Sequence, residues 1–120
     1  MSIVQIQELV CRTYGIRLRD LRSERRTAHL IEPRFVAMWL ARETTPRTLA
    51  AIGRMFCDRD SSSVWHALNV IEAKRRVDPA FAIRLGALRH ALGQDDELAA
   101  AKADLAREIA EARAEMRAAA

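Results

Sequence analysis

The chain has 120 residues, half of them hydrophobic, and a formal net charge of +4, a balance typical of one folded domain rather than of a disordered chain. Ala, Leu and Arg are abundant, aromatic residues and glycines are few, and runs of alternating β-branched residues are missing, which predicts an all-α fold. The first residues do not form a signal peptide, and no apolar run approaches the roughly 20 residues that a membrane span needs. These features predict a cytoplasmic protein without a membrane partner.

The first part of the chain predicts two helices separated by a basic loop. Apolar residues recur at helical spacing over residues 3–14, and Gly15 supplies a stop. Residues 22–32 are basic and lack a clear period, so they predict a loop. Pro33 suits the first position of the next helix, since its missing N–H would be unpaired there, and this helix ends before Pro46.

A short helix, a turn and a longer helix follow. Thr48 can cap the short helix, and residues 57–60 make a polar turn. Asp60 or Ser61 then caps a helix that runs to about residue 76. The basic residues that close this helix would either meet phosphates or stabilise its negative end.

The C-terminal part predicts two more helices, at about residues 80–92 and 96–118, with Gly93 ending the first of them. The second helix carries a narrow apolar stripe with coiled-coil-like spacing, formed by Leu98, Leu105, Ile109, Ala112 and Met116. Lys102 in the seam and the small Ala112 argue against a tight two-stranded coil. The stripe would pack back on the body, form a homodimer through residues 94–120 or dock another protein; we expect a dimer or a partner contact rather than a free tail.

The two helices around the turn at residues 57–60 have the sequence form of a helix-turn-helix. The first turn of a recognition helix needs short polar groups at the base edges and apolar residues one turn later to hold the helix on the core. Asp60 and the three serines after it, followed by Val64 and Leu68, meet this requirement. A helix cap alone would use the same residues.

This order of motifs resembles the C-terminal DNA-binding domain of the bacterial replication initiator DnaA. The resemblance covers residues 3–76 and rests on the stretches IVQIQELVCRTYGIRLRDL, SERRTAHLIEPR and TLAAIGRMFCDRDSSSVWHALNVIE. It implies a Trp-repressor-like helix-turn-helix bundle, which we assign to residues 1–93. The periodicity of the tail adds a C-terminal helical extension, the acidic, Ala-rich helix at residues 94–120. The resemblance also implies binding of double-stranded DNA at short asymmetric sites.

The resemblance implies DNA contacts residue by residue. Arg26 lies where the family sends a loop arginine into the minor groove, and Arg34 matches a residue that contacts DNA. Arg59 and Asp60 match a signature Arg-Asp pair, and the three serines that follow replace a base-reading histidine and two threonines. The expected DNA-binding set is Arg25, Arg26, Arg34, Arg59, Asp60, Ser61, Ser62 and Ser63.

Several positions depart from the family pattern. Glu24 and Glu32 replace basic residues and would repel phosphates near the loop, and Cys57 and Asp58 replace a pair of glycines. Ser61 cannot reach as far as an imidazole, and serine lacks the methyl group with which threonine can touch a thymine methyl. We therefore expect DNA binding that is weaker or has an altered sequence preference.

The sequence points away from catalysis and cofactors. The family's nucleotide-binding domain precedes the matched region, whereas this chain starts almost at that region and has no GxxxxGK[ST] phosphate loop, so we expect neither ATP binding nor ATP hydrolysis. Cys11 and Cys57 have no metal-ligand spacing and are predicted to pack as small apolar residues. Trp39 and Trp65 are predicted to be core anchors.

The charge distribution agrees with a polyanionic partner. Residues 1–93 hold 16 Lys and Arg against nine Asp and Glu, a net charge of +7, whereas residues 94–120 hold four against seven, a net charge of −3. A solvated arginine-rich surface is the alternative explanation.

The expected function is regulatory and nucleoid-associated: the protein occupies initiator-type sites, or assists the initiator at an origin. Its expected partners are double-stranded DNA and the replication initiator or another replication protein. Two alternatives stay open. One is a transcription regulator, of phage origin or otherwise, that uses the same fold at promoters, and the other is a protein-interaction module with a degenerate DNA-binding surface.

Overall fold

The computed structural model describes residues 2–119, apart from the side chains of residues 94–99. Its helices are α1 (Ile3–Tyr14), α2 (Leu18–Leu21), α3 (Ala28–Thr44), α4 (Leu49–Arg54), α5 (Ser61–Val77) and α6 (Pro79–Ala119). The described backbone contains no strand. The prediction of an all-α helix-turn-helix bundle with a C-terminal helical extension is confirmed.

α1 begins and ends where the sequence predicts, because both of its ends are capped locally. The Ser2 hydroxyl accepts a hydrogen bond from the Gln5 backbone N–H (3.2 Å), and the Gln5 side chain accepts one from the Ser2 backbone N–H (3.0 Å). At the other end, Gly15 has a left-handed φ of 67° and donates its N–H to the Cys11 carbonyl. Both ends of α1 are therefore marked by residues that lie close together in the chain.

α3 lies at the centre of the core and contacts all five other helices. Its residues 36–41 are all 0–3% exposed, whereas six consecutive residues of a surface helix would include several that face solvent. Trp39 is one of them, as predicted, and its indole N–H donates to a carboxylate oxygen of Glu72 on α5 (2.8 Å). The segment is buried on every side because the other helices pack around it, and its residues are apolar on every side.

The predicted start of α3 at Pro33 is wrong, because the helix begins at Ala28 and includes part of the expected loop. Leu30, Pro33, Arg34 and Ala37 are all buried, at the spacing of one helix face. The sequence hides this face, since an arginine in an apolar period is taken for a surface residue. The basic loop therefore comprises residues 22–27 only, and its last residue, the extended Thr27, is the N-cap of α3.

The predicted break at Gly93 is also wrong, because α6 is one helix of 41 residues that runs through this position. Gly93 lacks the left-handed conformation of a helix cap; among the described residues Gly15 is the glycine with a positive φ. An interior glycine costs a helix only about 1 kcal/mol relative to alanine, which the helix-forming residues on both sides offset. The side chains of residues 95–97, expected to start a separate helix, lie outside the described residues.

The two ends of α6 have different surroundings. Phe81, Leu85, Leu88 and Leu92 are buried against the bundle, whereas every residue from 100 to 119 is exposed. We call residues 2–93 the body and residues 100–119 the projecting segment. This segment makes the molecule 65 Å long although its other dimensions are 31 and 25 Å. The side chain of Leu98, part of the predicted stripe, lies outside the described residues.

No helix in the described part of the chain is both long and apolar enough to cross a membrane.

Candidate nucleic-acid interface

A close approach of two backbone segments forms the turn between α4 and α5. The Gly53 carbonyl accepts hydrogen bonds from the N–H groups of Phe56 and Arg59, both at 3.0 Å. A Cβ atom on Gly53 would lie 2.0 Å from the Arg59 carbonyl oxygen, which is backbone and cannot move away as a side chain could. The turn that fixes the orientation of α5 relative to α4 therefore requires glycine at position 53.

Asp60 caps the N-terminus of α5. Its carboxylate accepts from the Ser63 backbone N–H (2.8 Å) and from the Ser62 hydroxyl (2.9 Å). The hydrogen bond from the Ser63 backbone, followed by those from the serine side chains, lowers the pKa of Asp60. The cap fixes the first turn of α5 and orients Ser62.

The outward face of the first turns of α5 carries an unexpected tryptophan. Ser61, Ser62 and Ser63 are exposed, and Trp65, predicted to be a core anchor, is 60% exposed. Trp65 follows Ser61 by four residues and Ser62 by three, so the three side chains share one helix face. The buried residues Val64, Ala67 and Ile71 are three and four positions apart and define the core face of α5. This spacing excludes position 65 from the core face, and it could have been recognised in the sequence.

Arg34, expected to be an exposed DNA contact, is 2% exposed. Its guanidinium donates to four backbone carbonyls of the segment that leads into the basic loop: Leu21 (3.0 Å), Arg25 (2.9 Å), Asp20 (3.1 Å) and Ser23 (2.9 Å). This side chain holds the path of the loop, which presents Arg25 and Arg26 to solvent. Burial lowers the pKa of the Arg34 guanidinium, and the charge of Arg59 lowers it further.

Arg59 reaches the same loop from the turn. Its Nη2 atom donates to the Ser23 carbonyl at 3.4 Å. Its Nε atom is buried and has no hydrogen-bond partner in the described part of the chain. An unsatisfied buried donor is costly.

The loop, α3 and the start of α5 enclose a cleft of about 420 Å³, which we call the arginine cleft. It is lined by Arg26, Ile31, Arg34, Phe35, Met38, Arg59, Ser62, Ser63 and His66. Phe35 on α3 and His66 on α5 are in edge-to-face contact within this lining, and their ring centroids are 6.0 Å apart. The guanidinium groups of Arg26 and Arg59 and the N-terminal end of α5 make this concavity suited to phosphate, whereas the guanidinium of Arg34 is already bound to backbone carbonyls.

The described side chains include no group of three or more His, Cys, Asp and Glu residues that could hold a metal ion.

A family model described as the bacterial DnaA protein helix-turn-helix matches residues 3–71. The chain belongs to this DnaA family. The chromosomal replication initiator protein DnaA of Sphingopyxis alaskensis is 41% identical over 92 residues, which are 77% of this chain and 20% of that protein. The DnaA protein of Bartonella quintana is 42% identical over 94 residues, 78% of this chain and 19% of its own length.

The fold agrees with this assignment. A crystal structure of a DNA replication initiation factor superposes with a TM-score of 0.67 at 30% identity, covering 73% of this chain and 27% of the other. The chain spans about a fifth of the length of the curated DnaA relatives that it matches. The resemblance inferred from the sequence is confirmed.

Two residues that replace glycines of the DnaA pattern lie in the turn and have left-handed backbones. The φ angle is 62° at Cys57 and 49° at Asp58. Glycine adopts such angles without cost, whereas a residue with a Cβ atom loses free energy there. Cys57 is exposed, contrary to the prediction that both cysteines pack inside; Cys11 is buried as predicted.

Glu32, expected to repel phosphates, does not line the arginine cleft. Its carboxylate forms an ion pair with Lys74, which lies 4.6 Å above the Phe81 ring, and a hydrogen bond with Tyr14. Burial alone would raise the pKa of Glu32, but the contacts from Lys74 and Tyr14 outweigh it and the pKa is lowered. Burial and the bond to Glu32 raise the pKa of Tyr14. The group ties α1, α3 and α5 together.

The basic run at the end of α5 is used largely within the body. Lys74 pairs with Glu32, and Arg75 lies 3.6 Å from Glu72 and 5.7 Å from the centre of the Trp39 ring. These contacts engage Lys74 and Arg75, while the exposed Arg76 lies in the last turn of the helix, where a positive charge is favourable.

Proposed function

We propose that this chain binds double-stranded DNA with sequence preference, at sites of the kind that DnaA recognises, and that it regulates or assists replication initiation there without an ATPase activity of its own. The arginine cleft at the N-terminus of α5 is the observation that carries the proposal. It places positive charge beside an exposed helix face, as a helix in the major groove requires.

The side chains of this interface divide into those that would contact the DNA backbone and those that would contact bases. Arg25 and Arg26 on the exposed loop would contact phosphates or enter the minor groove, and Arg59 would hold a phosphate in the arginine cleft. Arg34 would act indirectly, by holding the loop through its four carbonyl contacts. Asp60 would act through its cap.

The exposed face of α5 would read the bases. The hydroxyls of Ser61, Ser62 and Ser63 can hydrogen bond to base edges, and the indole of Trp65 offers an apolar surface for a thymine methyl group. Trp65 is the largest side chain on this face, and we propose that it supplies contact that the short serines cannot.

The test is a binding titration with fluorescent duplexes, preceded by selection of bound sequences from a random pool. We expect an initiator-box consensus and a steep loss of affinity with salt, the log–log slope changing by about 0.9 for each phosphate contact. Equal affinity for the selected and the shuffled duplex would contradict sequence preference. A selected consensus that maps to promoters rather than to origins would assign the protein to transcription instead.

A second role, in protein contact, is favoured by the exposed apolar residues of the projecting segment. We propose that this segment joins two copies of the chain, with the replication initiator or another replication protein as the competing partner. Two joined bodies would bind paired DNA sites more tightly through effective concentration.

A further inference from the structure

The projecting segment carries an apolar stripe that does not continue the stripe facing the body. At about 100° per residue, the face of Leu105 and Ile109 lies roughly 120° around the helix from the face of Leu85 and Leu92. Leu105 is 58% exposed, Ile109 45% and Met116 74%. Because α6 is one continuous helix, this second face points away from any contact that the body makes.

The stripe has the spacing of a heptad seam. Leu105, Ile109, Ala112 and Met116 are separated by four, three and four residues. This places Ile109 and Met116 at a positions and Leu105 at a d position. A β-branched residue at a and a leucine at d, here Ile109 and Leu105, favour a two-stranded coil. Lys102 and Ala112 weaken the seam, so the coil is a loose one, and a single lysine at an a position selects register and strand number at that cost in stability.

The charges beside the seam select the direction of the second helix. Glu108 occupies a g position and Arg113 the e position five residues later. In a parallel pair, g of one helix faces e of the next heptad of the other, which sets Glu108 of each copy beside Arg113 of the other. In an antiparallel pair g faces g and e faces e, which sets like charges together. Asp104 and Arg107 form an ion pair of 3.0 Å within one chain, on the face opposite the seam, so this pair does not engage Glu108 or Arg113.

We propose that two copies of this chain associate through residues 100–119 as a parallel, in-register coiled coil, with reciprocal Glu108–Arg113 pairs between copies. This inference deepens the self-association proposed above and rests on it, but it does not depend on DNA binding. Both bodies then lie at the same end of the paired helices, where they can reach neighbouring sites on one duplex.

The first experiment measures mass by sedimentation equilibrium of the full chain without DNA, from micromolar to near-millimolar concentration. We expect a reversible dimer that weakens roughly tenfold in Glu108→Arg and in Arg113→Glu, because each change replaces two attractive pairs by two repulsive ones. An equimolar mixture of the two variants should regain wild-type affinity, since each then supplies the charge that the other needs. Arg107→Glu, the same charge change on the opposite face, should leave the dimer unchanged.

The second experiment tests direction and register with a disulfide, in the Cys57→Ala background that removes the exposed native thiol. Ala112→Cys lies at a d position, where a parallel in-register pair brings the two thiols together, and should cross-link on mild oxidation. Ala114→Cys, on the opposite face, should not. Circular dichroism checks that each variant keeps its helix.

The outcomes separate the proposals. A monomer at every concentration overturns both the self-association and its geometry. A dimer that is strengthened by Glu108→Arg and does not cross-link at position 112 overturns the parallel arrangement alone. A cross-linked parallel dimer that fails to bind DNA in the titration above would leave this inference standing and overturn the proposed function.

Discussion

Leu85 and Leu105 are the same residue type on the same helix, yet one is 1% exposed and the other 58%. Leu85 lies in the body, where neighbouring helices cover it, and Leu105 lies in the projecting segment, where every described residue is exposed. The difference shows that an apolar side chain is buried only where the chain itself supplies a partner. The body is held by contacts within one molecule, so changes there should alter stability, whereas changes in the projecting segment should alter association.

The largest effect should come from the turn. Gly53→Ala places a Cβ atom against the Arg59 carbonyl, and we expect a loss of about 3 kcal/mol or more in the free energy of unfolding, measured by urea denaturation. Gly86→Ala, which meets nothing within 4 Å, should instead stabilise the protein by about 0.5–1 kcal/mol. Similar stabilities for the two variants would show that the close approach at Gly53 does not constrain the turn.

The next effect should come from the buried arginine. Arg34→Met leaves four carbonyls without their donor and should cost about 2–3 kcal/mol of stability. Arg34→Lys keeps the charge but cannot reproduce the contacts, so it should lose nearly as much. If Arg34 acted as an exposed phosphate contact, Arg34→Lys would keep both stability and DNA affinity. Arg113→Met in the projecting segment should change the stability of the body by less than about 0.5 kcal/mol.

Trp65 should matter for DNA rather than for folding. Trp65→Ala should lower the preference for the selected site by about 1–2 kcal/mol, roughly tenfold, in the binding titration with fluorescent duplexes. It should leave the free energy of unfolding within about 0.5 kcal/mol, since the side chain is largely exposed. Val77→Ala removes another exposed apolar side chain of α5, at its far end, and should affect neither measurement. A loss of stability without a loss of site preference would contradict the assigned role.

The smallest effect concerns strain in the turn. Cys57→Gly should stabilise the protein by about 0.5–1 kcal/mol, because relief of the left-handed strain outweighs the greater flexibility of glycine in the unfolded chain. Cys57→Ala keeps the Cβ atom and should be close to neutral in the same urea titration. A destabilised glycine variant would show that the thiol contributes more than its exposure suggests.

The parts of this fold that were predictable depend on near neighbours in the chain. The capping box of Ser2 and Gln5, the stop at Gly15 and the cap at Asp60 are made by residues within a few positions of one another. The start of α3 and the continuity of α6 were not predictable in this way. The first is hidden by a buried arginine, and the second depends on whether Gly93 takes a left-handed backbone, which its identity permits but does not require.

The candidate site shows the same division. The resemblance to DnaA assigned DNA contacts to Arg26 in the basic loop and to Arg59 and the serines at the turn, and the structure brings Arg26, Arg59, Ser62 and Ser63 around one cleft. The resemblance also implied that Arg34 contacts DNA and that Glu32 repels phosphates. The structure buries Arg34 under the basic loop and places Glu32 in an ion pair with Lys74. Trp65 was expected in the core but is exposed, because it lies one residue after Val64, which occupies the core face of α5.

The sequence by itself determined the helical fold class, the family and the caps, because periodicity, local hydrogen bonds and motif order are written in consecutive residues. Only the tertiary structure decided which arginine is exposed, which tryptophan is buried and which stripe of α6 has a partner. The physical reason is that burial depends on what another part of the chain brings to the same place. Leu85 meets such a surface within its own molecule, and Leu105 does not.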